Sequence, residues 1–213
     1  MSGVGISALC LASQAEAATF DFVALAAGNE HGFASETFTS GAVSVTASGR
    51  DITGSPTYLG YLDDLSGGAP GGLGVCKSLS GGECDPGNDD NFGLNEVLEL
   101  VFNGPVTINS ISFSNGEHLD SYLGNFGVAI DTIPTAVGDF TQYLSVAVFN
   151  TPLIGTRFSF ISNSTISGNN DDHRVLYISS VDATSSEVPE PATLGLLGMG
   201  LVSLAARRRR ASK

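Results

Sequence analysis

The stretch Asp85-Pro86-Gly87-Asn88-Asp89-Asp90-Asn91, running on to Asn95 and Glu96, gathers the densest set of oxygen donors in the chain. Carboxylates this close repel one another unless a hard cation or water compensates. Ca²⁺ takes about six to eight oxygens, and flexible Gly-containing loops of this kind supply them. Asp85 to Glu96 spans twelve positions with Asp89 at the fifth, as in an EF-hand loop. Gly87 stands at the third position, however, Asp90 replaces the required Gly, and no helical pattern flanks the loop, so an EF-hand is excluded. Two readings stay open: a sandwich-edge Ca²⁺ site on Asp89, Asp90 and Glu96, or a solvated polar loop.

Other candidates are weaker. Asn169-Asn170-Asp171-Asp172 carries the same two readings, and Asp63-Asp64 follows an apolar run as a turn would. His31, His118 and His173 are isolated, and nothing in their spacing predicts a shared metal; His118, between Glu117 and Asp120, has the most acidic surroundings. Gly67-Gly68-Ala69-Pro70-Gly71-Gly72-Leu73-Gly74 resembles a phosphate loop in composition only. It lacks the Gly-Lys-Ser/Thr ending and a following helix, and reads as a flexible loop. The hydrolase signature G-x-S-x-G is absent. Carboxylate pairs suited to glycosidase chemistry are too numerous in so acidic a chain to single one out.

Cys76 and Cys84 lie eight positions apart in the Gly-rich region. No second Cys or His pair completes a zinc set, so a local disulfide formed outside the cytoplasm is the expectation. Of the 22 acidic residues all but Glu16 and Glu190 fall between positions 18 and 188. Only Arg50, Lys77, Arg157 and Arg174 oppose them, which leaves this body at −16. Such a surface repels nucleic acid and anionic lipid.

The elements that must position these groups read as strands. Phe20, Phe22 and Val23 begin one, Thr37 to Thr39 another, and Val43, Val45 and Ala47 alternate with Ser44, Thr46 and Ser48. Tyr58 to Leu62 is a short candidate before a long irregular stretch, Asp63 to Leu94. Glu96 to Phe102 gives the clearest alternation; Asn103-Gly104-Pro105 then signals a turn, with Val106 to Phe113 returning as a partner strand. Phe126 to Ile130, Tyr143 to Phe149, Arg157 to Ile161 and Arg174 to Val181 complete the set. Short strands at this spacing, without an amphipathic helix, predict an all-β, jelly-roll-like antiparallel β-sandwich over 18–182, with a polar linker at 183–188.

Both ends carry export signals. Val4 to Ala12 is a small apolar run, and Ala15-Glu16-Ala17 is an A-x-A site, which makes 1–17 a signal peptide; lacking a basic start, it reads as truncated. At the other end Pro189-Glu190-Pro191 is held extended by its prolines. The uncharged run Ala192 to Ala206 follows, then Arg207, Arg208, Arg209 and Arg210. A helix over 192–206 spans roughly 22 Å, and snorkelling arginines extend that reach and hold the C-terminus in the cytoplasm.

This three-part tail, 189–210, resembles the PEP-CTERM sorting signal of Gram-negative bacteria, a tail type also labelled after ice-binding proteins that bear it. The resemblance implies an exported protein, anchored for a time in the inner membrane, cut by an exosortase near Pro189-Glu190-Pro191 and passed to the envelope or exopolysaccharide matrix. Gly71 to Val75, the Asp/Asn run, Glu96-Val97-Leu98 and His118 also resemble the β-sandwich bodies that precede such tails. The reading is a structural or adhesive, non-enzymatic protein, with Ca²⁺ as the one cofactor in question. A carbohydrate-binding module is the alternative, with Tyr58 and Tyr61 as platform candidates in a chain without Trp; a polysaccharide hydrolase comes third.

Overall fold

The computed structural model describes residues 15–54, 58–64, 69–87, 90–93, 95–119, 124–143, 147–162 and 175–185. The leader up to residue 14 and the whole sorting tail lie outside them, including the run 192–206. Among the described residues no helix is long and apolar enough to cross a membrane.

The body is mostly β, and every pairing is antiparallel. Its strands are β1 (Ala17–Asp21), β2 (His31–Phe33), β3 (Glu36–Ser40), β4 (Val43–Asp51), β5 (Leu59–Asp63), β6 (Gly72–Cys76), β7 (Leu79–Ser80), β8 (Glu83–Cys84), β9 (Glu96–Asn115), β10 (Phe126–Ile130), β11 (Thr141–Tyr143), β12 (Ala147–Ser162) and β13 (Leu176–Ser185). β9 organises the rest. Its first half pairs with β4 and the end of β12, and its second half with β13 and the start of β12. The sheet therefore folds over itself into sandwich-like layers. One layer runs β3-β4-β9-β12-β10-β11, the other β2-β5-β6-β13-β9, with β1 beside the end of β13.

The alternation in β4 and β9 sends one face of each strand into the core. Val43, Val45 and Ala47, with Leu98, Leu100 and Phe102, are buried there. Aromatic contacts close the layers: Phe20 meets Phe102 edge-on at 6.0 Å, and Phe113 lies 4.6 Å from Phe126. The opposite face of β9 has its own small core of Ile52, Val97, Ala129, Phe140 and Ile161.

Several sequence expectations need correction. Asn103-Gly104-Pro105 is not a reverse turn; β9 continues through it as one strand. Pairing with β4 stops at Phe102 and pairing with β13 starts at Val106, while the β12 register jumps between Gly155 and Arg157. The tripeptide thus sits at a bulge, where Pro105 needs no ladder N–H and the strand bends from one layer to the other. Phe22 and Val23 belong to one helical turn, α1 (Phe22–Ala26), because Asp21 Oδ1 accepts the Ala24 N–H at 2.9 Å and caps it. Tyr143 falls in β11, and the separate strands expected at 143–149 and 157–161 are replaced by the single long β12. At the C-terminal end β13 runs to Ser185, so Ala183 to Ser185 are strand rather than linker.

The Gly-rich stretch is also not simply a loop. Gly72 to Cys76 form β6, buried at every position. Its glycines let other backbone approach closely. A Cβ on Gly74 would lie 1.9 Å from the Asp90 carbonyl oxygen. Gly74→Ala is therefore expected to cost about 3 kcal/mol through overpacking, read as a lower urea midpoint, whereas Gly104→Ala, in open space, should change little.

Candidate functional site

The ends of β5, β9 and β13 bring together a buried polar cluster that no stretch of sequence contains. Asp63 is the last residue of β5 and is 2% exposed. β9 ends at Asn115, whose side-chain oxygen accepts the N–H groups of Glu117 and Leu119 at 3.0 and 2.9 Å and so shapes the turn. That turn holds His118 at φ 61° and carries its ring inward. His118 Nε2 lies 2.8 Å from Asp63 Oδ2, a contact set by charge and distance more than by alignment. Nδ1 lies 2.7 Å from the Ala69 carbonyl. The ring meets Tyr177 of β13 edge-on at 5.2 Å, and Tyr177 donates its hydroxyl to Asp90 Oδ1 at 2.5 Å.

Asp90 reaches this place because the chain after residue 90 crosses β6 at Gly74, and Phe92 bridges to Leu176 of β13. The backbone closes the other side, with the Gly71 N–H donating to Asp63 O at 3.0 Å.

The electrostatics follow from this packing. The Asp63 carboxylate beside His118 raises the imidazole pKa against the opposing effect of burial. Burial pushes the Asp90 carboxyl up to about 6, with the Tyr177 hydrogen bond opposing and the Asp63 charge assisting. Burial also drives the Tyr177 phenol far upward, so it stays a donor. Both His118 nitrogens face acceptors, an arrangement that favours the protonated ring. The arrangement ties Asp63, Ala69 and the 90–92 and 115–119 segments to β13.

A second buried charge network lies on the other face of β9. Glu99 Oε1 accepts from Arg50 Nε at 2.8 Å, and Oε2 from Arg157 Nη1 at 2.7 Å. Arg50 continues to the Asp51 and Pro134 carbonyls at 3.1 and 3.0 Å. It thereby pins the 131–140 segment over the small core.

The sequence candidates are distributed as follows. Asp89 lies outside the described residues. Asp90 is held by Tyr177, and Glu96 by the Gly93 N–H at 2.6 Å and by Lys77 Nζ at 2.5 Å. Lys77 in turn lies over the Tyr58 ring at 5.7 Å. Among the described residues no group of three or more His, Cys, Asp or Glu side chains is placed to hold a metal. His31 is bound to Glu36 at 2.7 Å and to the Asn29 carbonyl at 2.8 Å, far along the chain from the His118 cluster. His173, Asp120 and Asn169 to Asp172 fall outside the described residues, as do Pro189, Glu190, Pro191 and Arg207 to Arg210. Cys76 and Cys84 form the expected disulfide, with Cα atoms 5.8 Å apart. It packs against Tyr61, which is fully buried and donates to Glu30 at 2.6 Å. Tyr61 therefore cannot serve as a sugar platform.

Sequence reasoning ranked Asp63 low and missed Tyr177. The available signal was the run Leu59-Gly60-Tyr61-Leu62-Asp63, in which a carboxylate ends an apolar strand.

No curated protein and no solved structure matches this chain. Residues 187–210 do match the PEP-CTERM protein-sorting motif, beginning just after β13 ends at Ser185. The chain thus carries a PEP-CTERM protein-sorting motif behind a β-rich body, and that motif implies export and sorting by an exosortase.

Proposed function

We propose that the protein is a non-enzymatic structural or adhesive component of the cell envelope or its extracellular matrix. One observation carries this reading: the sorting motif follows directly on the last strand of a disulfide-bonded β body. The commitment of His118, Tyr177 and Glu99 to partners within the fold supports a scaffold over a reaction centre. Before processing, Ala192 to Ala206 and Arg207 to Arg210 hold the chain in the inner membrane with its C-terminus in the cytoplasm. Calcium enters only as a stabiliser of the loop carrying Asp89. Binding there draws Asp90 from Tyr177 and Glu96 from Lys77, and a Tm unchanged by millimolar Ca²⁺ removes it from the reading.

The glycan-binding alternative has a surface in its favour. Thr19 and Ser110 both donate to Asp182 at 2.7 Å, and Asn109 donates to Thr184 Oγ1 at 2.8 Å. Together they form an ordered row of hydroxyl, amide and carboxylate groups on the outer face of β1, β13 and β9.

Cell fractionation of the full chain tests the first reading. The body is expected in the envelope or matrix fraction, and replacing Pro189-Glu190-Pro191 by alanines should hold it at the inner membrane. Turnover of polysaccharide by the purified protein would overturn the scaffold reading. A glycan-array signal lost on Asp182→Ala would replace it with the binding module.

A further inference from the structure

The folded body begins at Glu16, one residue before β1. Both its backbone and its side chain are held. The Ser185 N–H donates to Glu16 O at 2.8 Å, and the Glu16 N–H donates to Ser185 Oγ at 2.8 Å. These bonds carry the β1–β13 ladder, in which Ala17 faces Thr184, one position further. The side chain turns into a groove of about 160 Å³ that Ala42, Val43, Asn103 and Val106 help to line. There Oε1 accepts the Ala42 N–H at 2.9 Å. Gly41, at φ +62°, leaves the space this oxygen needs, since a Cβ would fall 1.9 Å from it. The body is thus fitted to a glutamate at its first position.

A residue discarded with a leader needs no such fit. The sequence offers two small-x-small sites in staggered register. Ser13-Gln14-Ala15 directs a cut before Glu16, and Ala15-Glu16-Ala17 directs one before Ala18. The second is the leader boundary expected from sequence alone. Cutting there removes Glu16 and Ala17 and shortens the β1–β13 ladder to Ala18 and Ala183. It also takes from the Ala42 and Ser185 N–H groups the acceptors that Glu16 gives them.

We propose that the leader ends at Ala15 and that Glu16 is the N-terminal residue of the exported protein. The inference rests on the export reading above. In the cut, water supplies hydroxide to the Ala15 carbonyl carbon and a proton to the Glu16 nitrogen as the bond between them breaks. The proton of the new carboxyl then passes to the amine, which is an ammonium near neutral pH. That ammonium carries three N–H donors, so the bond to Ser185 Oγ survives and becomes charge-assisted. The carbonyl and side chain of Glu16 keep their partners. A leader peptidase reads the chain before it folds, so both sites are open to it. The fold has a use only for the product of the first.

N-terminal sequencing of the protein isolated from the envelope of cells that make it naturally tests the boundary. The expected start is Glu16-Ala17-Ala18, and a start at Ala18 overturns the proposal. Ser13→Leu puts a bulky residue into the first site only and should abolish the Glu16 start. Ala17→Leu spoils the second site only, at an exposed position of β1, and should leave that start unchanged. Cleavage lost in Ala17→Leu and kept in Ser13→Leu overturns the proposal. Glu16→Ala gives an independent readout. With Glu16 retained, the exported variant loses the bond to Ala42, and its unfolding constant should rise about three- to tenfold. With Glu16 gone, the exported variant and the wild type are one molecule, and matching urea curves overturn the proposal. A chain found uncut in the cytoplasm overturns the export reading itself, and its intact leader separates that failure from a cut after Ala17.

Discussion

Glu99→Ala is expected to lower stability by about 3–5 kcal/mol, the cost of breaking a buried ion network from its centre. Natural domains carry only about 5–15 kcal/mol in total, so the change should be visible as a large fall in the urea midpoint. The loss comes mainly from Arg50. Its side chain is 12% exposed and would keep a guanidinium facing an emptied site, whereas Arg157, at 33%, can turn to water. Arg50 also fastens the 131–140 segment through Pro134. Loosening it should expose Phe140 and Val137, which pack over Val97 and Ile161, and speed amide exchange across that segment. Glu99→Leu should cost less than Glu99→Ala, because it fills the volume, although it also leaves two arginines unpaired. A loss below about 1 kcal/mol in Glu99→Ala would place the network among ordinary surface pairs.

The second large effect is at His118, and it depends on pH. The folded protein raises the pKa of His118 above its usual value, so it holds a proton there that the unfolded chain releases. The stability this contributes is fully present below about pH 6.5 and is lost as pH rises through the folded value. Asp90 acts in the same direction over a lower window: raised from 3.8 to about 6, it favours the fold most below pH 3.8 and loses that advantage by about pH 6. Stability from this cluster should therefore fall across both windows as the solution becomes more basic. Asp90→Asn should flatten the lower window and stabilise the protein above pH 6, since an amide oxygen can still accept from Tyr177. His118→Ala is expected to cost about 3–5 kcal/mol at pH 6, because it strands the Asp63 carboxylate. His118→Asn tolerates the left-handed backbone at this position and separates that loss from strain. If thermal melts of the wild type are flat from pH 6 to 9, the imidazolium pair contributes nothing.

Local pattern made much of the fold legible. The alternation of Val43 to Ala47 and of Glu96 to Phe102 assigned two central strands and their inward faces. The eight-residue spacing of Cys76 and Cys84 gave the disulfide. What escaped was set by partners distant in sequence. Asn103-Gly104-Pro105 has the composition of a turn, and only the flanking strands, which change partners there, make it a bend inside β9. β6 is rich in glycine because other backbone crosses it, a reason invisible from its own residues. The polar cluster joins Asp63, Asp90, His118 and Tyr177 across more than a hundred positions, and no spacing rule connects them. Asp90 stands in an acidic run, yet it accepts its hydrogen bond from a tyrosine on the last strand.

The position of β13 has a mechanical consequence. It is the strand that leads to the sorting tail, and it is flanked along its last residues by β9 on one side and β1 on the other. Tension applied at Ser185 along the axis of β13 runs parallel to these strands. The ladders then bear load in shear, with many bonds strained together, instead of peeling one at a time. Rupture under such load is governed by the unfolding rate. A body pulled from Ser185 along the axis of β13 resists being pulled apart.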